Sequence, residues 1–186
     1  AQTGSGKTAA FALPLLQHLE SAPQHSPRRA LVLVLVPTRE LCTQVGEEIR
    51  KLALHLPRPL KVAMVFGGVS INPQMMRLRG GTDVVVATPG RLLDLVAHNA
   101  LSLGSVATLV LDEADRLLDL GFAEELARLL TLLPPKRQNL FFSATFPAAV
   151  QALAQSLLHE PVRIEVLPTS QSLPDITQRA IAVDAG

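Results

Sequence analysis

Ala30-Leu31-Val32-Leu33-Val34-Leu35-Val36 is the stretch that decides the fold. An unbroken apolar run of this length suits a strand covered on both faces, as in a parallel sheet. Helical spacing follows at once: Leu41, Val45, Ile49 and Leu52 recur within 38–54. The alternation then repeats outward from this unit. Strands are expected at 60–66, 83–87, 106–111, 139–142 and 162–166. Asn72-Pro73 reads as a cap followed by proline at the first helical position, opening a helix to Arg79. Thr88-Pro89 repeats that signal and opens a helix to about His98. Phe122, Leu126, Leu129, Leu130 and Leu133 share one helix face, and Val150, Leu153, Ala154, Leu157 and Leu158 share another. A helix is also expected over 7–19. Strands alternating with helices give an α/β architecture, a parallel sheet with helices on both faces.

Two segments carry chemistry. Ala1-Gln2-Thr3-Gly4-Ser5-Gly6-Lys7-Thr8 reads as a phosphate-binding loop, with Ala1 where the general pattern has glycine. Gly4 and Gly6 let backbone amides approach phosphate oxygens at the positive end of a helix. Lys7 reaches the β and γ phosphates, and the Thr8 hydroxyl holds Mg²⁺. Asp112-Glu113-Ala114-Asp115 follows the apolar run 106–111. Carboxylates at the carboxyl end of a parallel strand face the crevice where ligands bind. Asp112 is placed to serve the metal, and Glu113 to orient and deprotonate an attacking water. Taken alone, the acidic run would read better as the first turn of a helix.

The chain has 186 residues, enough for one ordinary domain with a sizeable core. Its 48% hydrophobic content excludes a disordered tail, and its net charge of +1 excludes a strongly basic arm. One cysteine excludes a disulfide framework. No apolar run approaches the roughly 20 residues of a membrane helix, so no membrane partner is expected. A reducing, cytoplasmic setting is the expectation. Cys42 reads as packing, Met75 and Met76 as helix packing, and Glu124 with Arg128 as an i,i+4 surface contact. The polar stretch 20–29 reads as a flexible surface loop.

AQTGSGKT (1–8), PTREL (37–41), GG (67–68), TPGR (88–91), DEAD (112–115) and SAT (143–145) stand in the order found in DEAD-box RNA helicases. The sequence resembles the first RecA-like lobe of that family over residues 1–166, and the stretch 67–81 looks most like the bacterial RhlE branch. The resemblance implies a RecA-like P-loop lobe, with 167–177 as a linker and 178–186 as the start of a second lobe. It implies ATP and Mg²⁺ bound by Gly4, Ser5, Gly6, Lys7 and Thr8, with Lys7, Asp112 and Glu113 catalytic. It implies that Ser143 and Thr145 bond toward Asp115 and couple hydrolysis to unwinding. It also implies an RNA backbone track of Pro37, Thr38, Arg39, Gly68, Thr88, Gly90 and Arg91. Arg39 and Arg91 would clamp phosphates bidentately. With aromatic residues at 3%, base stacking is not expected, and RNA binding would be independent of sequence.

The family's adenine-reading motif and the strand before the phosphate loop are not in this chain, which therefore reads as cut at its N-terminal end. The second lobe and its arginine finger are expected as missing partners. An arginine finger is worth about 10³ to 10⁵ in rate, so the isolated chain is expected to be nearly inactive, and monomeric. The rival readings are a non-enzymatic RNA-binding or scaffold module and a P-loop kinase or transport ATPase. Intact Lys7, Glu113 and Thr145 argue against the first; TPGR and SAT have no task in the second.

Overall fold

The computed structural model describes residues 6–165. Five parallel strands form one sheet in the order β2-β3-β1-β4-β5. They are β1 (Val32–Leu35), β2 (Val62–Val65), β3 (Val84–Ala87), β4 (Thr108–Leu111) and β5 (Gln138–Phe141). The helices are α1 (Lys7–Ser21), α2 (Arg39–Ala53), α3 (Ile71–Leu78), α4 (Pro89–Ala97), α5 (Ala114–Asp119), α6 (Ala123–Thr131) and α7 (Ala148–Leu157).

Side chains alternate across a strand, so the 30–36 run divides between two cores. Val32, Val34 and Val36 pack against α1 and α2, with Phe11, Leu15, Cys42, Val45 and Ile49. Leu33 and Leu35 face the other way, toward Leu92 and Leu95 of α4, Leu117 of α5, and Leu126 and Leu129 of α6. β1 lies between β3 and β4, and all four of its residues are buried. That central position explains why no polar residue interrupts the run.

Glycine fixes the packing at two places. A Cβ on Gly46 of α2 would lie 2.4 Å from Cγ of Met64, so the glycine lets α2 sit close on β2. Gly81 has φ +78°, and a Cβ there would lie 1.9 Å from the Arg28 carbonyl oxygen. The loop before β1 therefore runs directly over the loop before β3.

Several expectations are corrected. α3 begins at Ile71 with Ser70 as its N-cap, so Asn72 and Pro73 lie inside the first turn. Proline is tolerated there because first-turn amides lack intrahelical partners anyway. Met76 is 62% exposed and does not pack, whereas Met75 rests against the core. Glu124 and Arg128 form no ion pair among the described residues; both are exposed, where holding two long side chains together gains little. The stretch 20–29 is not free: the Arg28 guanidinium pairs with Asp83, and the Arg28 amide bonds the Gly80 carbonyl at 3.2 Å. Asp83 also accepts from the Lys61 amide at 2.7 Å.

Residues 162–165 form no strand. Val162 and Ile164 are 89% and 83% exposed, because no described strand offers them a ladder. β5 is an edge of the described sheet, and its residues are exposed or only half-buried. Val166, the linker 167–177 and the stretch 178–186 lie outside the described residues. α5 begins within the acidic run, as that run taken alone suggests, but its extent was not legible. Its six residues are too short to show a helical period, and its buried Ala114 and Leu117 are held by long-range packing.

Candidate functional site

The carboxyl ends of β1 and β4 and the start of α1 converge on one place. Gly6 opens α1 in the left-handed conformation (φ 75°), with no side chain capping the first turn. Among the described residues, a Cβ at Gly6 would meet nothing within 4 Å. Lys7 Nζ lies 3.6 Å from Asp112 Oδ1, with the two side chains only 13% and 3% exposed. Burial pushes the Asp112 carboxyl up from its ordinary range; the Lys7 ammonium opposes this and the Glu113 charge adds to it. The half-buried Thr8 hydroxyl makes no hydrogen bond among the described residues. Gly4 and Ser5 lie outside the described residues.

Glu113 occupies the left-handed region at φ 52°, ψ 54°, a costly conformation for a side-chain-bearing residue. Two bonds on either side hold it there. Its own amide donates to Asp112 Oδ1 at 3.0 Å, and the next amide, of Ala114, donates to the Phe142 carbonyl at 3.0 Å. The kink turns the chain from β4 into α5. The Glu113 carboxylate, 12% exposed, is 3.4 Å from Arg116 Nη1.

The end of β5 meets the same turn. Thr145 donates to Asp115 Oδ2 twice, from its amide at 3.0 Å and its hydroxyl at 2.8 Å. The Asp115 amide donates to Ser143 Oγ at 3.2 Å, and Ser143 Oγ donates to the Thr145 carbonyl at 2.7 Å. Burial opposes the charge on Asp115, but the hydrogen bonds from Thr145 and Ser143 outweigh it and hold the carboxyl below its ordinary value. Since the folded pKa is depressed, the stability this carboxylate contributes is complete at neutral pH. It is lost as pH falls through the lowered pKa. Asp115→Asn is therefore expected to flatten the acid limb of stability from about pH 5 downward, in urea melts followed by circular dichroism. An unchanged acid limb would contradict the assignment.

The third group lies at the carboxyl ends of β1, β2 and β3. Thr38 caps α2, accepting from the Leu41 amide at 3.2 Å, and Pro37 is buried before it. The Arg39 guanidinium lies 5.9 Å from the Phe66 ring centroid. Thr88 is the N-cap of α4 by backbone conformation but makes no side-chain cap bond, and Pro89 stands at N1. Gly68 (φ +78°) and Gly90 both face open space. Arg91 departs from the expected free clamp. Its Nη2 donates to the Val69 carbonyl at 2.7 Å and its side chain is only 11% exposed. Its Nε and Nη1 are buried and make no hydrogen bond among the described residues, although Nε stands 3.7 Å from Asp94 Oδ2. One edge of the fork is thus spent on the 67–70 loop.

A cavity of about 900 Å³ opens at the opposite end of the sheet among Arg29, Met75, Arg79 and Asn99. It touches none of these groups. Cys42 is fully buried, its thiol donates to the Val86 carbonyl at 3.1 Å, and burial pushes its pKa up to about 12. A thiol so protonated is packing and not a nucleophile. No group of three or more His, Cys, Asp or Glu side chains gathers as a metal cluster among the described residues.

Residues 1–153 match the DEAD/DEAH box helicase family model. The chain belongs to that family. It is 42% identical over its whole length to the pre-mRNA-processing ATP-dependent RNA helicase prp-5 of Neurospora crassa, covering 16% of that protein. It is 42% identical over 96% of its length to the ATP-dependent RNA helicase DeaD of Escherichia coli (strain K12), covering 28% of it. Among solved structures, the yeast DEAD-box splicing factor Prp28 matches with a TM-score of 0.80 and 36% identity, over 86% of this chain and 38% of that one. A hypothetical ATP-dependent RNA helicase from Sulfolobus tokodaii matches with a TM-score of 0.74 at the same identity, over 86% of this chain and 44% of that one. This DEAD-box chain therefore spans well under half the length of these relatives, and its fold is the RecA-like α/β fold of the family.

Two residues central to this geometry were missed in the sequence. Gln74 is 6% exposed, and Phe66 lies beneath Arg39. A signal for Gln74 exists: it stands four residues before buried Leu78, a polar residue on the buried face of α3.

Proposed function

We propose that this chain is the ATP-binding lobe of an ATP-dependent RNA helicase, in which ATP hydrolysis drives local, sequence-independent unwinding of RNA. The observation that carries the reading is the Lys7–Asp112 pair, little exposed, at the start of α1. A lysine and a carboxylate held together in a crevice, at the N-terminal end of a helix, match the needs of a triphosphate and its metal. Lys7 would pair with phosphate oxygens, the amides from Gly4 to Thr8 would cradle them, and Thr8 and Asp112 would hold Mg²⁺. The ion, when bound, supplies neutralisation of phosphate charge. Glu113, held rigid by its bonded neighbours, would orient the attacking water and take its proton.

Asp115, Thr145 and Ser143 would link that event to the rest of the lobe. Their bonds join the turn after β4 to the turn after β5, so a shift in one is felt in the other. Arg39, Gly68, Thr88, Gly90 and Arg91, with Pro37 and Thr38, would form the RNA backbone track. A second RecA-like lobe would close over both sites and supply an arginine finger. The lobe is read as acting in a monomer and in the cytoplasm. The stretch 67–81 supports placement near the RhlE branch.

The test is ATP hydrolysis by the parent-length protein, with and without single-stranded RNA, beside Lys7→Ala and a DNA strand of equal length. RNA-stimulated turnover that requires Lys7 is expected. The 186 residues alone are expected to show little of it, since an arginine finger accounts for about 10³ to 10⁵ in rate. Turnover indifferent to RNA or to Lys7 would refute the reading. A scaffold role would show RNA binding that ignores Lys7→Ala.

A further inference from the structure

Phe66 is the residue after β2, the strand at one edge of the sheet. Its backbone groups lie beyond the last paired residue of the β2–β3 ladder. Gln74 supplies what a neighbouring strand would. Its Nε2 donates to the Phe66 carbonyl at 2.9 Å, and its Oε1 accepts from the Phe66 amide at 3.2 Å. A side-chain amide that matches both groups of one residue fixes that residue's position and its peptide orientation. Gln74 is buried and Phe66 half-buried, so these bonds are partly shielded from water.

What Phe66 carries makes this more than a structural detail. Its ring lies beneath the Arg39 guanidinium. Its chain continues into Gly67 and Gly68, where an added Cβ would meet nothing within 4 Å. Val69, next along, is held by Arg91 Nη2. The glycine pair is thus a short open backbone segment, tied at one end by Gln74 and at the other by Arg91. Arg39 is one packing contact, and Gly68 two residues, from the Phe66 that Gln74 holds. The pH-independent character of an amide suits the task, because its two bonds do not change with protonation.

We propose that Gln74 is a positioning residue for RNA: it sets the Gly67–Gly68 backbone and the Phe66 platform under Arg39 in the geometry that receives an RNA phosphate. This rests on the RNA-track reading given above. The test uses the parent-length helicase with Gln74→Met, which keeps the size and removes both bonds, and Gln74→Glu, which keeps an acceptor and removes the donor. Ile71→Ala, elsewhere on α3, measures the effect of loosening that helix without touching Phe66. Arg91→Ala tests the track itself.

The RNA concentration for half-maximal ATPase stimulation is expected to rise about tenfold in both Gln74 variants, while half-saturating ATP stays within about twofold, as for a lost positioning contact. Ile71→Ala is expected to lower the melting temperature without that shift. If Arg91→Ala weakens RNA stimulation and both Gln74 variants do not, the inference fails and the track reading stands. If none of the three moves the RNA dependence, the track reading fails and takes the inference with it. Loss of fold in both Gln74 variants, or equal shifts for RNA and ATP, would mark a merely structural role and overturn the proposal.

Discussion

Glu113→Gln in the parent-length protein is expected to lower ATP hydrolysis at least about 100-fold while leaving nucleotide binding within about twofold. A positioned general base contributes about 10² to 10⁴ in rate, and the amide keeps the size but cannot take a proton. The geometry makes the separation sharp. Among the described residues Glu113 is not bonded to Lys7; its amide donates to Asp112, its carbonyl accepts from the Leu117 amide, and its carboxylate meets Arg116. The substitution leaves the Lys7–Asp112 pair and the left-handed turn in place. The measurement is steady-state turnover alongside equilibrium binding of a labelled nucleotide. Turnover within tenfold of the parent would remove Glu113 from the chemistry. Equal losses in binding and turnover would mean the turn itself had collapsed.

Gly81→Ala is expected to destabilise the lobe by about 2–4 kcal/mol, read from urea melts followed by circular dichroism. Two costs combine. The left-handed backbone at φ +78° disfavours any side chain by about 1–2 kcal/mol. The new Cβ would also stand 1.9 Å from the Arg28 carbonyl oxygen, a backbone atom. Relief would require the loop before β1 to move, and that loop is tied by the Arg28–Asp83 pair and the Asp83 bond to the Lys61 amide. Gly80→Ala is the internal comparison. Gly80 has φ +76° but open space around it, so only the backbone cost of about 1–2 kcal/mol remains. Equal losses at the two positions would show that the clash is relieved cheaply and that the loop is looser than its hydrogen bonds indicate.

The sequence by itself determined the parallel α/β fold. Burial on both faces leaves its mark on every residue of a central strand, so the 30–36 run declares its own environment. Lys7 and the 112–115 acids stand out for a similar reason: the phosphate and metal chemistry proposed for them restricts residue type and local spacing. Only the tertiary structure decided which distant groups meet. The sheet order brings β4 beside β1 and β5 beside β4, and thereby sets Asp112 against Lys7 and Thr145 against Asp115. It also decided that Arg91 spends one edge on Val69, that Gln74 completes the edge of β2, and that 162–165 stays unpaired. Periodicity reports how buried a residue is. It does not report which neighbour buries it, because that depends on strand order and on loops whose geometry is set by single contacts such as Gly81 against Arg28.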